Sequence, residues 1–211
     1  MSGQARSERR TQAERTAATR ATLLDAAVEC LAELGYSGTT TTEVARRAGV
    51  SRGAQLHHFP SKADLLLAAT AELCTRRLGE FRKAYADAPP GSDRVDTAID
   101  VMWSLYSGGT FISHVELVVA ARTDESLRAA VLEHQQRFFD GAAAVSDEIW
   151  SDSLATEPSL SRVSLAFTFA LLDGLALSSL LGAPSVPPEE VIDALKAVGH
   201  LVIPTDPEDP A

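Results

Sequence analysis

Cysteine is nearly absent from this chain: only Cys30 and Cys74 occur among its 211 residues. Both fall on helical patterns, so no disulfide framework is expected and a reducing setting, the cytoplasm, is. Each thiol reads as a small core residue rather than a redox sensor. Catalytic signatures are missing too. The chain has no G-x-S-x-G, no P-loop, no H-E-x-x-H and no Cys-x-x-Cys. His57 and His58 are adjacent, point to different sides of a helix and make a poor metal pair. No metal and no cofactor is therefore implied. A helical enzyme built on His134 and Asp173 would lack any group to orient a nucleophile. The polar N-terminus carries no apolar h-region, so a secretion signal is not expected. Leu165 to Leu181 is apolar nearly all round, but it carries Asp173, and a mid-helix carboxylate is expensive in lipid. No membrane role and no internal repeat is read from the sequence.

What is present is enough apolar material for a sizeable core, 45% of all residues, arranged as one large or two small domains. The net charge of −10 argues at first against nucleic acid. It is unevenly spread, however: residues 1–62 carry +3 and residues 63–211 carry −13. The basic excess lies at one end, where an electrostatic footprint on DNA would sit.

That end contains the most informative stretch, residues 39–62, TTTTEVARRAGVSRGAQLHHFPSK. Thr40 and Glu43 have the S/T-x-x-E spacing of a capping box. Val44, Ala45 and Ala48 form a small apolar face, with Thr42, Glu43, Arg46 and Arg47 outward. Gly49 falls where a helix ends in the left-handed conformation. Ser51 can cap a second helix, which Pro60-Ser61 ends. Two short helices joined by a Gly-containing turn predict a helix-turn-helix.

The pattern T-T-x-x-E-V-A-x-x-A-G-V-S-x-G, followed by H-F-x-S-K and an apolar run, resembles the DNA-binding region of the tetracycline-repressor (TetR) family of bacterial transcriptional regulators. The match runs from about Ala18 to Leu67. It departs at Gln55-Leu56, where the family has Leu-Tyr; that Tyr donates to a DNA phosphate, which Leu56 cannot do, and Gln55 weakens an apolar staple to Val50. The resemblance implies a DNA-facing set. Arg52 is the candidate for base readout, since its fork bonds guanine bidentately. Gly53 and Ala54 allow close backbone approach, with Ser51 at the helix start and Thr42 and His57 in or beside the groove. Thr40, His58 and Lys62 are candidate phosphate contacts, which set register without reading sequence; the alternative for His58-Phe59 is a packed helix end.

The rest of the chain reads as helix. Residues 1–15, with Arg6, Arg9, Arg10 and Arg15, form an expected disordered basic arm, either a minor-groove follower or a solvated tail. Thr16 to Leu34 is the first helix, stopped by Gly35, and residues 16–62 make up a three-helix DNA-binding domain. From Lys62 to Tyr85 the positions Leu67, Ala71, Cys74, Leu78, Phe81 and Tyr85 mark a buried stripe. Residues 63–204 form a ligand-binding and dimerisation domain, and residues 205–211 a disordered tail. Helices over Val95–Tyr106 and Phe111–Arg122 precede one reaching Trp150 with a seam of Leu127, Val131, His134, Phe138, Ala142, Val145 and Ile149. Leu165 to Leu181 suits a helix buried both by its own domain and by a second subunit, with the last helix completing half a four-helix bundle. Trp103, Phe111, His114, His134, Phe138 and Phe167 are candidate ligand-binding residues; plain core is the alternative for each.

The reading is an all-α, cytoplasmic, ligand-responsive repressor. Its expected partners are a palindromic double-stranded DNA operator, a small apolar effector and a second copy of itself. A ligand-binding helical protein without a DNA role, an activator of the same fold, and an enzyme are the competing readings.

Overall fold

The computed structural model describes residues 12–106, 109–150, 158–180, 182 and 185–203. Among them it contains helices and their connections only: α1 (Gln12–Gly38), α2 (Thr41–Arg47), α3 (Arg52–His58), α4 (Lys62–Ala86), α5 (Arg94–Ser104), α6 (Gly109–Ala121), α7 (Glu125–Trp150), α8 (Pro158–Ser179) and α9 (Pro188–Val202). The expected all-α class is observed. The tail 205–211 and residues 1–11 of the expected arm lie outside the described residues. Residues 12–15 correct that expectation, since they are the first turn of α1. The segment QAERTAATR is rich in good helix formers, and the Thr16 hydroxyl closes the turn by donating to the Gln12 carbonyl at 2.9 Å.

Local chemistry sets the helix starts. Ser61 and Asp64 make a full capping box at α4, with the Asp64 N–H donating to Ser61 Oγ at 3.0 Å and the Ser61 N–H to Asp64 Oδ2 at 3.2 Å. The box expected at Thr40 and Glu43 is only half formed. The Glu43 N–H donates to Thr40 Oγ1 at 3.1 Å, but the Glu43 carboxylate turns forward to Arg46 and Arg47 instead. Asp124 caps α7 by accepting from the Leu127 N–H at 3.1 Å. Gly35 breaks α1 with φ +67°, and Gly49 closes α2 with φ +66°; both lie in the region that disfavours any residue with a Cβ.

Two apolar cores result. One joins Leu23, Leu24, Cys30 and Leu31 of α1 with Val44, Phe59, Leu65 and Leu66, and it continues into Leu117, Ala121, Leu127 and Val131 of α6 and α7. The other gathers Val95, Ile99, Trp150, Leu172, Ile192 and Leu195 from α5, α7, α8 and α9. The first core therefore crosses residue 62, the expected domain boundary. This also corrects the phase expected for α4. Its N-terminal half buries Leu65, Leu66, Ala69, Thr70 and Leu73, because it packs on α1. The expected stripe is only half-buried along its length, from Leu67 to Tyr85, because much of it lines a cavity.

Leu66 is fully enclosed, so Leu66→Ala should cost about 2–5 kcal/mol through lost burial and the void left behind. Val119→Ala, at an exposed position, should change stability by less than about 0.5 kcal/mol. Urea denaturation of the two variants checks both.

Candidate nucleic-acid interface and internal cavity

α2 and α3 meet through the Gly49 turn and rest on the first core through Val44, Ala45 and Phe59. Ser51 caps α3, accepting from the Ala54 N–H at 3.2 Å. Arg52, Gly53 and His57 lie exposed on its outer side, with Ala54 and His58 half-buried. Thr40 and Thr42 are exposed on the start of α2. The structure thus brings Thr40, Thr42, Ser51, Arg52, Gly53, Ala54, His57 and His58 onto α2, α3 and the caps that begin them. Lys62 stands apart. Its ammonium donates to the Tyr36 carbonyl and sits 4.1 Å from the centre of the Tyr36 ring, and burial lowers its pKa. Gln55 is wholly buried; its amide N–H donates to the Phe59 carbonyl at 2.9 Å, closing the C-terminus of α3. Leu56, beside it, is 44% exposed. Glu43 binds Arg46 at 2.6 Å and Arg47 at 2.9 Å, and these hydrogen bonds, Arg46's foremost, hold its carboxyl down at about 2. Arg47 also reaches Glu33 at 2.7 Å, so it braces α2 against α1.

Behind this unit, α4, α5, α6, α7 and α8 line a half-open cavity of about 470 Å³. Of the six candidate ligand-binding residues, Phe111, His114, His134 and Phe138 line it. Trp103 and Phe167 do not. Trp103 faces the second core and stacks near Tyr106, with ring centres 6.2 Å apart, and Phe167 lies 52% exposed on the outer side of α8. Helical phase alone could not distinguish the inward from the outward face of α8, which is apolar on both. The cavity wall is mostly apolar, but it carries a polar seam of Arg77, Tyr106, His114, His134 and Asp173. The Tyr106 hydroxyl lies near Asp173, and burial first and that carboxylate second push its pKa up. Burial lowers the pKa of Arg77 and of both histidines, leaving the imidazoles neutral at pH 7. Cys74, on the same wall, is pushed up to about 11 by burial and is an inert thiol.

The family model described as "Bacterial regulatory proteins, tetR family" matches residues 23–69. The HTH-type transcriptional regulator CymR of Pseudomonas putida is 36% identical over 177 residues, covering 82% of this chain and 85% of that protein. This chain belongs to the TetR family. The HTH-type transcriptional repressor AcnR of Corynebacterium glutamicum is 27% identical over 184 residues, covering 82% of this chain and 88% of its own. Among solved structures, the regulator FadR of Bacillus subtilis in complex with stearoyl-CoA superposes with a TM-score of 0.64 at 18% identity. The superposition covers 85% of this chain and 96% of that one, and is a likeness of fold. As a TetR-family member the chain is a helix-turn-helix transcriptional regulator.

In this TetR-family chain α6 touches both regions. Phe111 and His114 face the cavity, while the Ser113 hydroxyl donates to the Val28 carbonyl at 3.1 Å and Glu116 accepts from the Tyr36 N–H at 2.8 Å. Glu116, two residues on from His114, therefore points the other way, onto the corner between α1 and α2. Arg77 and Tyr106 were missed by the sequence reading; an Arg within an apolar stripe, one turn from Cys74, was the available signal. Ser51→Ala should destabilise the fold by about 1 kcal/mol through loss of the α3 cap. Faster amide exchange at Ala54 and a lower denaturation midpoint are the readouts.

Proposed function

We propose that this regulator is a homodimeric repressor that binds a palindromic operator through α3 and is released by a small apolar effector held in the 470 Å³ cavity. The observation that carries the reading is the double contact of α6, with His114 on the cavity and Ser113 and Glu116 on α1. An effector that displaces His114 and Phe111 shifts α6. Ser113 and Glu116 pass the shift to Val28 and Tyr36, and Lys62, bonded to the same Tyr36, carries it into the start of α4. The two α3 helices of a dimer then lose the spacing of their half-sites. By linkage, operator DNA weakens effector binding by the factor with which the effector weakens DNA binding. Catalysis has no part in this reading.

Arg52 reads a base, Ser51, Gly53 and Ala54 bring the helix start close to the groove, and Thr42 and His57 stand beside it. Thr40 and His58 meet phosphates. The tie between Lys62 and Tyr36 argues for an internal role for Lys62, with its phosphate contact the lesser part. The second subunit docks on α8 and α9. One side of α8 is exposed at Val163, Phe167 and Leu177, with Leu180 just past its end, and α9 adds Val198 and Leu201, which is 87% exposed. By length and composition Ser161–Ser179 would also pass as a membrane span, but Asp173 within it and the Arg162–Asp140 ion pair at 2.9 Å favour a protein partner.

Mobility shifts over a salt series with DNA from upstream of the gene test the reading. A specific complex that weakens steeply with salt supports it; a complex of equal strength on unrelated DNA counts against it. Arg52→Ala should lower operator affinity by about tenfold or more, since one bidentate base contact is worth about 1–3 kcal/mol, with thermal stability unchanged. Phe167→Glu combined with Leu177→Glu should give a monomer by light scattering and abolish the specific shift. A dimer that persists in that double variant removes α8 from the interface.

A further inference from the structure

We propose that the cavity selects a carboxylate on an apolar body, a monoanionic amphiphile, with the carboxylate held by Arg77. This rests on the effector reading above and specifies its chemistry. One guanidinium nitrogen of Arg77, Nη2, is buried and has no hydrogen-bond partner among the described residues, and the same holds for His134 Nε2. Both side chains line the one cavity. A guanidinium does not shed its proton, so Arg77 cannot escape the penalty of burial by becoming neutral. Its ring contact, 5.5 Å from the centre of Tyr106, offsets part of that penalty and leaves Nη2 unbonded. The nearby acid, Asp173, acts through space on both Tyr106 and Arg77, but no ion pair joins it to Arg77 among the described residues. A ligand carboxylate supplies what is missing. One of its oxygens accepts from Arg77 Nη2.

The remaining wall fixes the rest of the ligand. Leu73, Phe81, Phe138, Val145, Trp150 and Phe169 present an apolar surface, and about 470 Å³ is in the range that takes a drug-sized molecule. A dianion would face one cation and the opposing carboxylate of Asp173. An amine would meet Arg77 as a like charge and, having no acceptor when protonated, would leave Nη2 unpaired. A neutral ligand gives Nη2 at most an uncharged acceptor, a weaker partner than a carboxylate.

Isothermal titration of the full-length protein with octanoate and naphthalene-2-carboxylate tests this, alongside the amide and amine of each skeleton. At least one carboxylate should bind tenfold or more tightly than its own amide and amine. Arg77→Gln, verified as folded by circular dichroism, should remove that preference. An amide that binds as tightly as its carboxylate, an amine that binds more tightly, or no saturation by either carboxylate at millimolar concentration overturns the proposal. The comparison among ligands on the unmodified protein decides the matter even where a variant fails to fold. Mobility shifts with the same compounds separate the two levels. Arg77-dependent carboxylate binding that leaves the DNA complex intact keeps the ligand class and removes the release mechanism; release by amide and carboxylate alike does the reverse.

Discussion

The apolar face of α1 cannot be covered by α2 and α3 alone. Two seven-residue helices offer Val44, Ala45 and little else, so Leu23, Leu24, Cys30 and Leu31 are sealed by α4 and by Leu117, Ala121, Leu127 and Val131 of α6 and α7. Shared burial of this kind is what joins the halves of the molecule. Close-packed interiors are stiff and pass displacement on, and a helix that closes one core while walling a cavity cannot move at the cavity alone. The arrangement needs no flexible linker between sensing and reading.

A few polar bonds refine that coupling, and they converge on Tyr36. Its N–H is taken by Glu116 of α6, its carbonyl by Lys62 at the head of α4, and its ring lies beside the same ammonium. The corner between α1 and α2 is thus held from two helices that both also border the cavity. Arg47, bound to Glu43 and Glu33, holds the far side of α2. The helix-turn-helix is positioned as a rigid piece by a handful of charged groups, most of them outside its DNA-facing side.

Much of this was legible in the sequence, because caps and breakers act locally. Ser51, Ser61 and Gly49 lie at or beside the helix ends observed, Gly35 lies at the break inside α1, and the seam from Leu127 to Ile149 on α7 faces inward along its length. Legibility failed where one residue type serves two purposes. The stripe from Leu67 to Tyr85 was read as core, but part of it borders empty space, and an apolar pattern looks the same whether the position opposite is filled or vacant. The true core contacts of α4, Leu65, Leu66, Ala69 and Leu73, were hidden because the helix has different neighbours along its length. Phe167 and Phe169 differ by two positions on a helix apolar all round, yet one faces outward and the other the cavity. Arg77 escaped for the opposite reason: arginines are overwhelmingly solvated, and its place one turn from Cys74 in an apolar stripe was the one local sign against that.

Position 35 carries two demands at once. Its backbone has the handedness that side chains resist, and a β-carbon built there would stand 2.8 Å from Glu116 Oε2. The carboxylate could swing away from such an atom, but only by letting go of the Tyr36 N–H. Every single-base change that replaces a glycine codon's amino acid adds a β-carbon or ends the chain. In a genetic selection for mutants deaf to the inducer, this codon should therefore recur among the hits, although its residue touches neither a base pair nor the chamber where the signal arrives.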